Sequence, residues 1–99
     1  MSGKVTYKFR SKMIQHQEPS GWFFVALPKE ISKEIREHFK NLEEGWGRMK
    51  VIAIVNNIEW KTSIWFDTKQ NTYALPIKAE IRNKAAIKPK TDLEFQILL

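Results

Sequence analysis

The tripeptide Ala26-Leu27-Pro28 recurs as Ala74-Leu75-Pro76 in a chain of 99 residues. Each copy follows an aromatic run, Gly21-Trp22-Phe23-Phe24-Val25 in the first case and Asn71-Thr72-Tyr73 in the second. Each leads into a charged, helix-prone stretch: Lys29-Glu30-Ile31-Ser32-Lys33-Glu34-Ile35 and Ile77-Lys78-Ala79-Glu80-Ile81-Arg82. Aromatic and β-branched residues favour a pleated, half-buried surface. Proline interrupts a strand's pairing, and its fixed φ suits the first turn of a helix. The repeat therefore predicts one supersecondary unit used twice.

Working outward, residues 4–14 alternate. Val5, Tyr7, Phe9 and Met13 share one face, and Lys4, Thr6, Lys8, Arg10 and Lys12 share the other, which is the period of a half-buried strand. A loop containing Pro19, Ser20 and Gly21 separates it from a second strand at Trp22–Leu27. Ile31, Ile35, Phe39 and Leu42 recur at helical spacing, with Lys29, Lys33, Arg36, Glu37 and Lys40 on the other side, so a helix is predicted over Lys29–Asn41. Ser32 is a candidate cap for a slightly later start.

Glu44-Gly45-Trp46-Gly47 reads as a loop and Met49–Val55 as a buried strand. Asn56-Asn57 reads as a two-residue hairpin turn, because Asn tolerates positive φ. Ile58–Phe66 alternates again, Thr72–Leu75 is a short strand, Glu80–Ile87 forms one or two helical turns, and Asp92–Leu99 closes the chain. The order is ββαβ twice, with half-repeats at about 4–55 and 58–99 in one domain over 1–99. Open sheet edges are a hazard that closure removes. The expected fold is therefore mainly β: a closed six-stranded β-barrel with pseudo-twofold symmetry and one main α-helix.

Composition narrows the function classes. A hydrophobic content of 42% supports a folded core and argues against disorder. There is no cysteine, which removes disulfide frameworks, zinc–thiolate sites and thiol nucleophiles. The N-terminal Met1-Ser2-Gly3-Lys4-Val5 lacks the apolar core of a signal peptide, and no apolar run approaches the ~20 residues of a spanning helix, so a soluble, cytoplasmic protein is expected. Seventeen basic against eleven acidic residues give a net charge of +6, spread along the chain, which favours anionic partners.

Two resemblances follow from the motifs. Leu75-Pro76-Ile77-Lys78-Ala79-Glu80-Ile81-Arg82 and Ala86-Ile87-Lys88-Pro89-Lys90-Thr91-Asp92-Leu93-Glu94-Phe95 are similar to the half-barrel motif of AbrB- and MazE-type DNA-binding proteins, with Thr91 where those have glycine. Over nearly the whole chain, the set Trp22…Val25-Ala26-Leu27-Pro28, Gly45-Trp46-Gly47-Arg48, Trp60-Lys61-Thr62-Ser63-Ile64 and Tyr73-Ala74-Leu75-Pro76-Ile77-Lys78…Ile81-Arg82 resembles domain of unknown function 1905. That resemblance implies a small closed β-barrel with one main helix. It carries over no catalytic residue.

No Walker loop, dinucleotide fingerprint or nucleophile elbow occurs. The only histidines are His16 and His38, and the only aspartates are Asp67 and Asp92, at turns. No enzyme, no metal site and no cofactor is expected. The basic stripe Lys4, Lys8, Arg10 and Lys12 is the candidate nucleic-acid face, with charges about every 7 Å along a strand. The alternative site is a pocket for an anionic small molecule formed by Trp22, Arg48, Trp60, Tyr73, Lys78 and Arg82 near strand ends and loops. The expected function is a non-enzymatic binding module, for nucleic acid through the stripe or, alternatively, for an anionic ligand or a protein partner. A monomer or homodimer without membrane attachment is expected.

Overall fold

The computed structural model describes residues 5–15 and 21–99, and the Trp46 side chain also lies outside the description. Lys4 and His16 fall outside the described residues. The strands are β1 (Thr6–Lys12), β2 (Ile14–Gln15), β3 (Phe23–Ala26), β4 (Arg48–Val55), β5 (Ile58–Asp67), β6 (Thr72–Pro76) and β7 (Asp92–Leu98). The helices are α1 (Lys29–Phe39), between β3 and β4, and α2 (Ala79–Ala85), between β6 and β7. Short 3-10 turns lie at Lys40–Leu42 and Gly45–Gly47.

The strands form one sheet in the order β1-β7-β4-β5-β6-β3-β2, and every neighbouring pair is antiparallel. This corrects the expected closed barrel of six strands: the sheet is an open half-barrel of seven. The single strand expected over residues 4–14 breaks at Met13. Its first part pairs with β7 and its second with β3, so the two parts form opposite edges of the sheet. Met13 is fully buried at the break, and its carbonyl accepts a hydrogen bond from Lys90 N–H at 2.9 Å rather than from a ladder partner. Between β1 and β3, Ser11 Oγ donates to the Ala26 carbonyl at 3.0 Å. A side chain thus spans a place where a closed barrel would carry backbone pairing.

The two Ala-Leu-Pro copies face one another. In the β3–β6 ladder, Ala26 is opposite Ala74, Val25 opposite Leu75, and Phe24 opposite Pro76. Leu27 N–H donates to the Tyr73 carbonyl and Ile77 N–H to the Phe23 carbonyl, each at 2.9 Å, so the pairing outlasts the strands at both ends. Antiparallel pairing has a positional consequence. Chain leaving β3 enters α1 beside chain arriving at β6, and chain leaving β6 enters α2 beside chain arriving at β3. Each helix is thereby set against the loop of the opposite unit.

The core follows the pleat. Met49, Val51, Ala53 and Val55 of β4 are buried, as are Trp60 and Ile64 of β5, Tyr73 and Leu75 of β6, and Phe95 and Ile97 of β7. Each fully buried aliphatic or aromatic side chain contributes about 1.5–3 kcal/mol relative to exposure. Asn56 and Asn57 both adopt positive φ, at 50° and 65°, as a two-residue hairpin linking β4 to β5 demands. Leu42, expected on the buried helix face, lies in the 3-10 turn and is 50% exposed.

Ser32 does not cap α1, which begins after Pro28. Its hydroxyl is fully buried, accepts a hydrogen bond from Tyr73 N–H at 3.0 Å and lies 3.5 Å from the Leu27 carbonyl as donor. It therefore ties the helix to β6. Ser32→Ala would leave the Tyr73 amide without its acceptor in a dry site. A loss of about 1–3 kcal/mol is expected in urea denaturation, and an unchanged midpoint would contradict this role.

Candidate functional site

The basic stripe lies on an edge strand whose partner carries acids. Lys8, Arg10 and Lys12 are exposed on β1, and the ladder places Gln96, Glu94 and Asp92 opposite them. Arg10 Nε donates to Asp92 Oδ2 at 2.9 Å, and its Nη2 lies 3.4 Å from the Asp92 carbonyl. Three cations against two carboxylates leave the described part of the stripe at +1.

The six residues expected to form a pocket separate. Trp60 and Tyr73 are core side chains, 9% and 0% exposed. Their strand faces turn inward. Arg48 starts β4 opposite Trp65 and is exposed. Trp22, Lys78 and Arg82 do meet, with Phe23, around a cleft of about 350 Å³ beside α2. Both cations there are engaged. The Arg82 guanidinium sits 4.0 Å above the Phe23 ring and donates to the Ile77 carbonyl at 2.9 Å, and Lys78 Nζ is 3.8 Å from Glu80. Trp22 packs against Phe24 and Trp65, with ring centroids 4.6 and 4.8 Å away.

A larger cleft of about 640 Å³ lies against the other helix, between α1 and the turn that leads into β6. Lys29, Lys33, Arg36 and Glu37 of α1 line one wall. Phe66, Thr68 and Asn71, from the end of β5 and the turn into β6, line the other. Helical geometry explains the first wall: residues four and seven apart return to the same face, so Lys29, Lys33 and Arg36 form a stripe about 10 Å long. Local hydrogen bonds explain the second. Asp67 Oδ1 accepts from Lys69 N–H at 2.9 Å and Gln70 N–H at 3.3 Å, while Asn71 N–H reaches the Asp67 carbonyl at 2.8 Å. Asn71 supplies the positive φ of 58° that the turn needs.

Below this cleft lies a polar chain leading into the core. The Arg36 guanidinium sits 3.9 Å above the Phe66 ring, and its Nε is 3.9 Å from Glu43 Oε2. Glu43 also accepts a hydrogen bond from the Tyr73 hydroxyl, and the Tyr73 ring meets Phe66 edge-on at 5.1 Å. Arg36 is thus held in place from beneath. Lys29, Lys33 and Glu37 differ: none belongs to the ion pairs found among the described residues, although Lys33 and Glu37 are four apart. The cleft therefore offers two lysines that stand outside the ion pairs of the described residues.

Both tyrosines are held in the phenol form. Tyr73 is pushed up from 10.0 chiefly by burial, then by its hydrogen bond to and the negative charge of Glu43, against an opposing pull from Arg36. Tyr7 is pushed up to about 12 by burial first and then by the Glu34 carboxylate, which accepts its hydroxyl at 3.0 Å. A folded pKa above the unfolded value stabilises the fold fully below the unfolded pKa, and that stability is lost as pH rises through the folded pKa. Tyrosine ionisation is thus expected to leave stability level up to about pH 10 and to lower it from there to about pH 12. Absorbance titration of tyrosinate alongside circular dichroism checks this, and phenolate appearing near pH 10 with the fold intact would contradict it.

The cleft on α1 went unseen in the sequence because periodicity assigns Lys29, Lys33 and Arg36 to a polar helix face without saying what lies over that face. The available signal was the aromatic Phe66 next to the Asp67–Asn71 turn, directly before the second Ala-Leu-Pro copy.

No helix is long and apolar enough to cross a membrane among the described residues. No curated protein matches the chain. A family model matches residues 9–97, a span that takes in both Ala-Leu-Pro units, both helices and both walls of the α1 cleft. By that match the chain belongs to the family described as domain of unknown function 1905.

Proposed function

We propose that the domain is a non-enzymatic binding module that takes an anionic small molecule in the α1 cleft. The observation that carries this reading is the convergence of Lys29, Lys33 and Arg36 on one cavity of about 640 Å³, with the two lysines outside the ion pairs of the described residues. Such a volume falls within the range of sites for small ligands. Lys29 and Lys33 are exposed and salt screens them, so what the cleft adds is the placing of three cations on one site. Arg36 is additionally pre-oriented by Phe66 and Glu43, so less side-chain freedom is lost on binding. The nucleic-acid reading has weaker support, since Glu94 and Asp92 stand opposite Arg10 and Lys12.

A ligand that binds only the folded state raises its melting temperature with concentration. Inorganic phosphate is expected to raise the Tm in a saturable way at constant ionic strength. Lys29→Gln with Lys33→Gln should reduce the shift to a small fraction, while Lys8→Gln with Lys12→Gln should leave it unchanged. Equal loss in both double variants would place the effect in net charge and sink the cleft.

A further inference from the structure

We infer that the ligand of the α1 cleft is a phosphorylated polyol, a small molecule carrying a phosphate monoester and several hydroxyl groups. This rests on the anion-binding reading and adds what the remaining lining groups recognise.

Charge comes first. Of the three cations, Arg36 is paired with Glu43 beneath the cleft, which leaves Lys29 and Lys33 outside the ion pairs of the described residues. A phosphate monoester carries about −1.5 to −2 near neutral pH, so it can engage both lysines at once, whereas a carboxylate brings a single charge. Lys29 and Lys33 are one helical turn apart, about 6 Å along the axis. Two flexible ammonium groups at that spacing can converge on one tetrahedral group with several acceptor oxygens.

Glu37 carries the second half of the inference. A carboxylate beside an anion site repels the anion, so it works against any ligand that is only an anion. An ionised carboxylate is solely an acceptor. The ligand it suits must bring O–H or N–H donors as well as negative charge. The opposite wall supplies Thr68 and Asn71, whose hydroxyl and amide both donate and accept. Hydroxyl groups, which do both, pair with all three. Phe66 offers an apolar surface against which a carbon skeleton can rest, with one ring face already occupied by Arg36. In this reading Lys29 and Lys33 take the phosphate, while Glu37 and the opposite wall of Thr68 and Asn71 take the hydroxyls.

Calorimetric titration with three probes tests the inference: ribose 5-phosphate, ethyl phosphate and unphosphorylated ribose. Sites built to hydrogen-bond a hydroxyl discriminate strongly against analogues that lack it, so ribose 5-phosphate is expected to bind about tenfold or more tightly than ethyl phosphate. Glu37→Ala, at an exposed helical position that alanine suits, should shrink that preference to about twofold or less while leaving ethyl phosphate at least as tightly bound. Lys33→Gln should weaken both phosphates by similar factors. Equal binding of the two phosphates by the native chain would overturn the hydroxyl recognition and leave the anion site standing. Binding of neither would overturn both. Ribose bound as tightly as ribose 5-phosphate would overturn the phosphate assignment, and a Glu37→Ala variant that lost both phosphates alike would overturn the role given to Glu37.

Discussion

Tyr73→Ala is expected to lower stability by about 3–5 kcal/mol, the range for deleting a large buried aromatic side chain. Tyr73 is 0% exposed and packs against Phe66, and its backbone meets both Leu27 and Ser32. The variant also leaves Glu43, whose side chain is only 10% exposed, with Arg36 at 3.9 Å as its remaining charged partner. Tyr73→Phe separates the two contributions. It keeps the ring and removes only the hydroxyl that donates to Glu43, so about 1–3 kcal/mol is expected. Urea unfolding monitored by circular dichroism measures both. If the Phe variant were as damaging as the Ala variant, the hydrogen bond would outweigh the packing and the account of this core would be wrong.

Gly47→Val should cost about 2–4 kcal/mol, combining the strain of a left-handed backbone with overpacking. Gly47 has φ +72°, a region where a β-branched residue is a genuine outlier. A Cβ built there would lie 3.3 Å from Phe66 Cβ and 3.6 Å from the Phe66 backbone nitrogen. The backbone cannot give way without disturbing β5, so Phe66 has to shift, and Arg36 stacks on Phe66. The variant is thus expected to weaken phosphate binding as well as stability, though it touches no residue of the cleft wall except Phe66. Gly45→Ala is the control, since a Cβ at Gly45 meets nothing within 4 Å, and a change below about 1 kcal/mol is expected. Equal effects at the two glycines would remove the argument from close approach.

Local order was legible along most of the chain. The double asparagine named its hairpin because few other non-glycine residues accept positive φ, and the alternation of Ile58–Phe66 placed Trp60 and Ile64 inside. The recurrence of Ala-Leu-Pro located two strand ends that prove to lie face to face in one ladder. Closure was not legible. Alternation across residues 4–14 continues through Met13, and a side-chain pattern with period two reports which face is buried but not which neighbour the backbone pairs with. Only the three-dimensional curl of the sheet forces β1 towards β7 and β2 towards β3.

The α1 cleft was not legible for a similar reason. Of the residues expected to form a pocket, Trp22, Lys78 and Arg82 do line one cleft because they flank one proline-marked strand end, while Trp60 and Tyr73, chosen as aromatics near loops, are held in the core by the pleat. Lys29, Lys33 and Arg36 read as a solvated helix face. Antiparallel pairing of the two units, a non-local event, swings the turn after Phe66 over that face and converts it into a wall. Repetition of the ββαβ unit remains our proposal, and the two arginine–phenylalanine stacks are not copies of each other: counted from the Ala-Leu-Pro tripeptides, Arg36 corresponds to Lys84 and Arg82 to Glu34.

The most direct test of the central claim is a nitrogen-15 correlation titration with inorganic phosphate at fixed ionic strength. The account predicts saturable shifts at the amides of Lys29, Lys33 and Arg36 and at Thr68 to Asn71, and their disappearance in the Lys29→Gln, Lys33→Gln double variant. Saturable shifts centred instead on Thr6–Lys12 or on Phe23 and Lys78, with the α1 cleft unmoved, or no saturable shift anywhere, would contradict it.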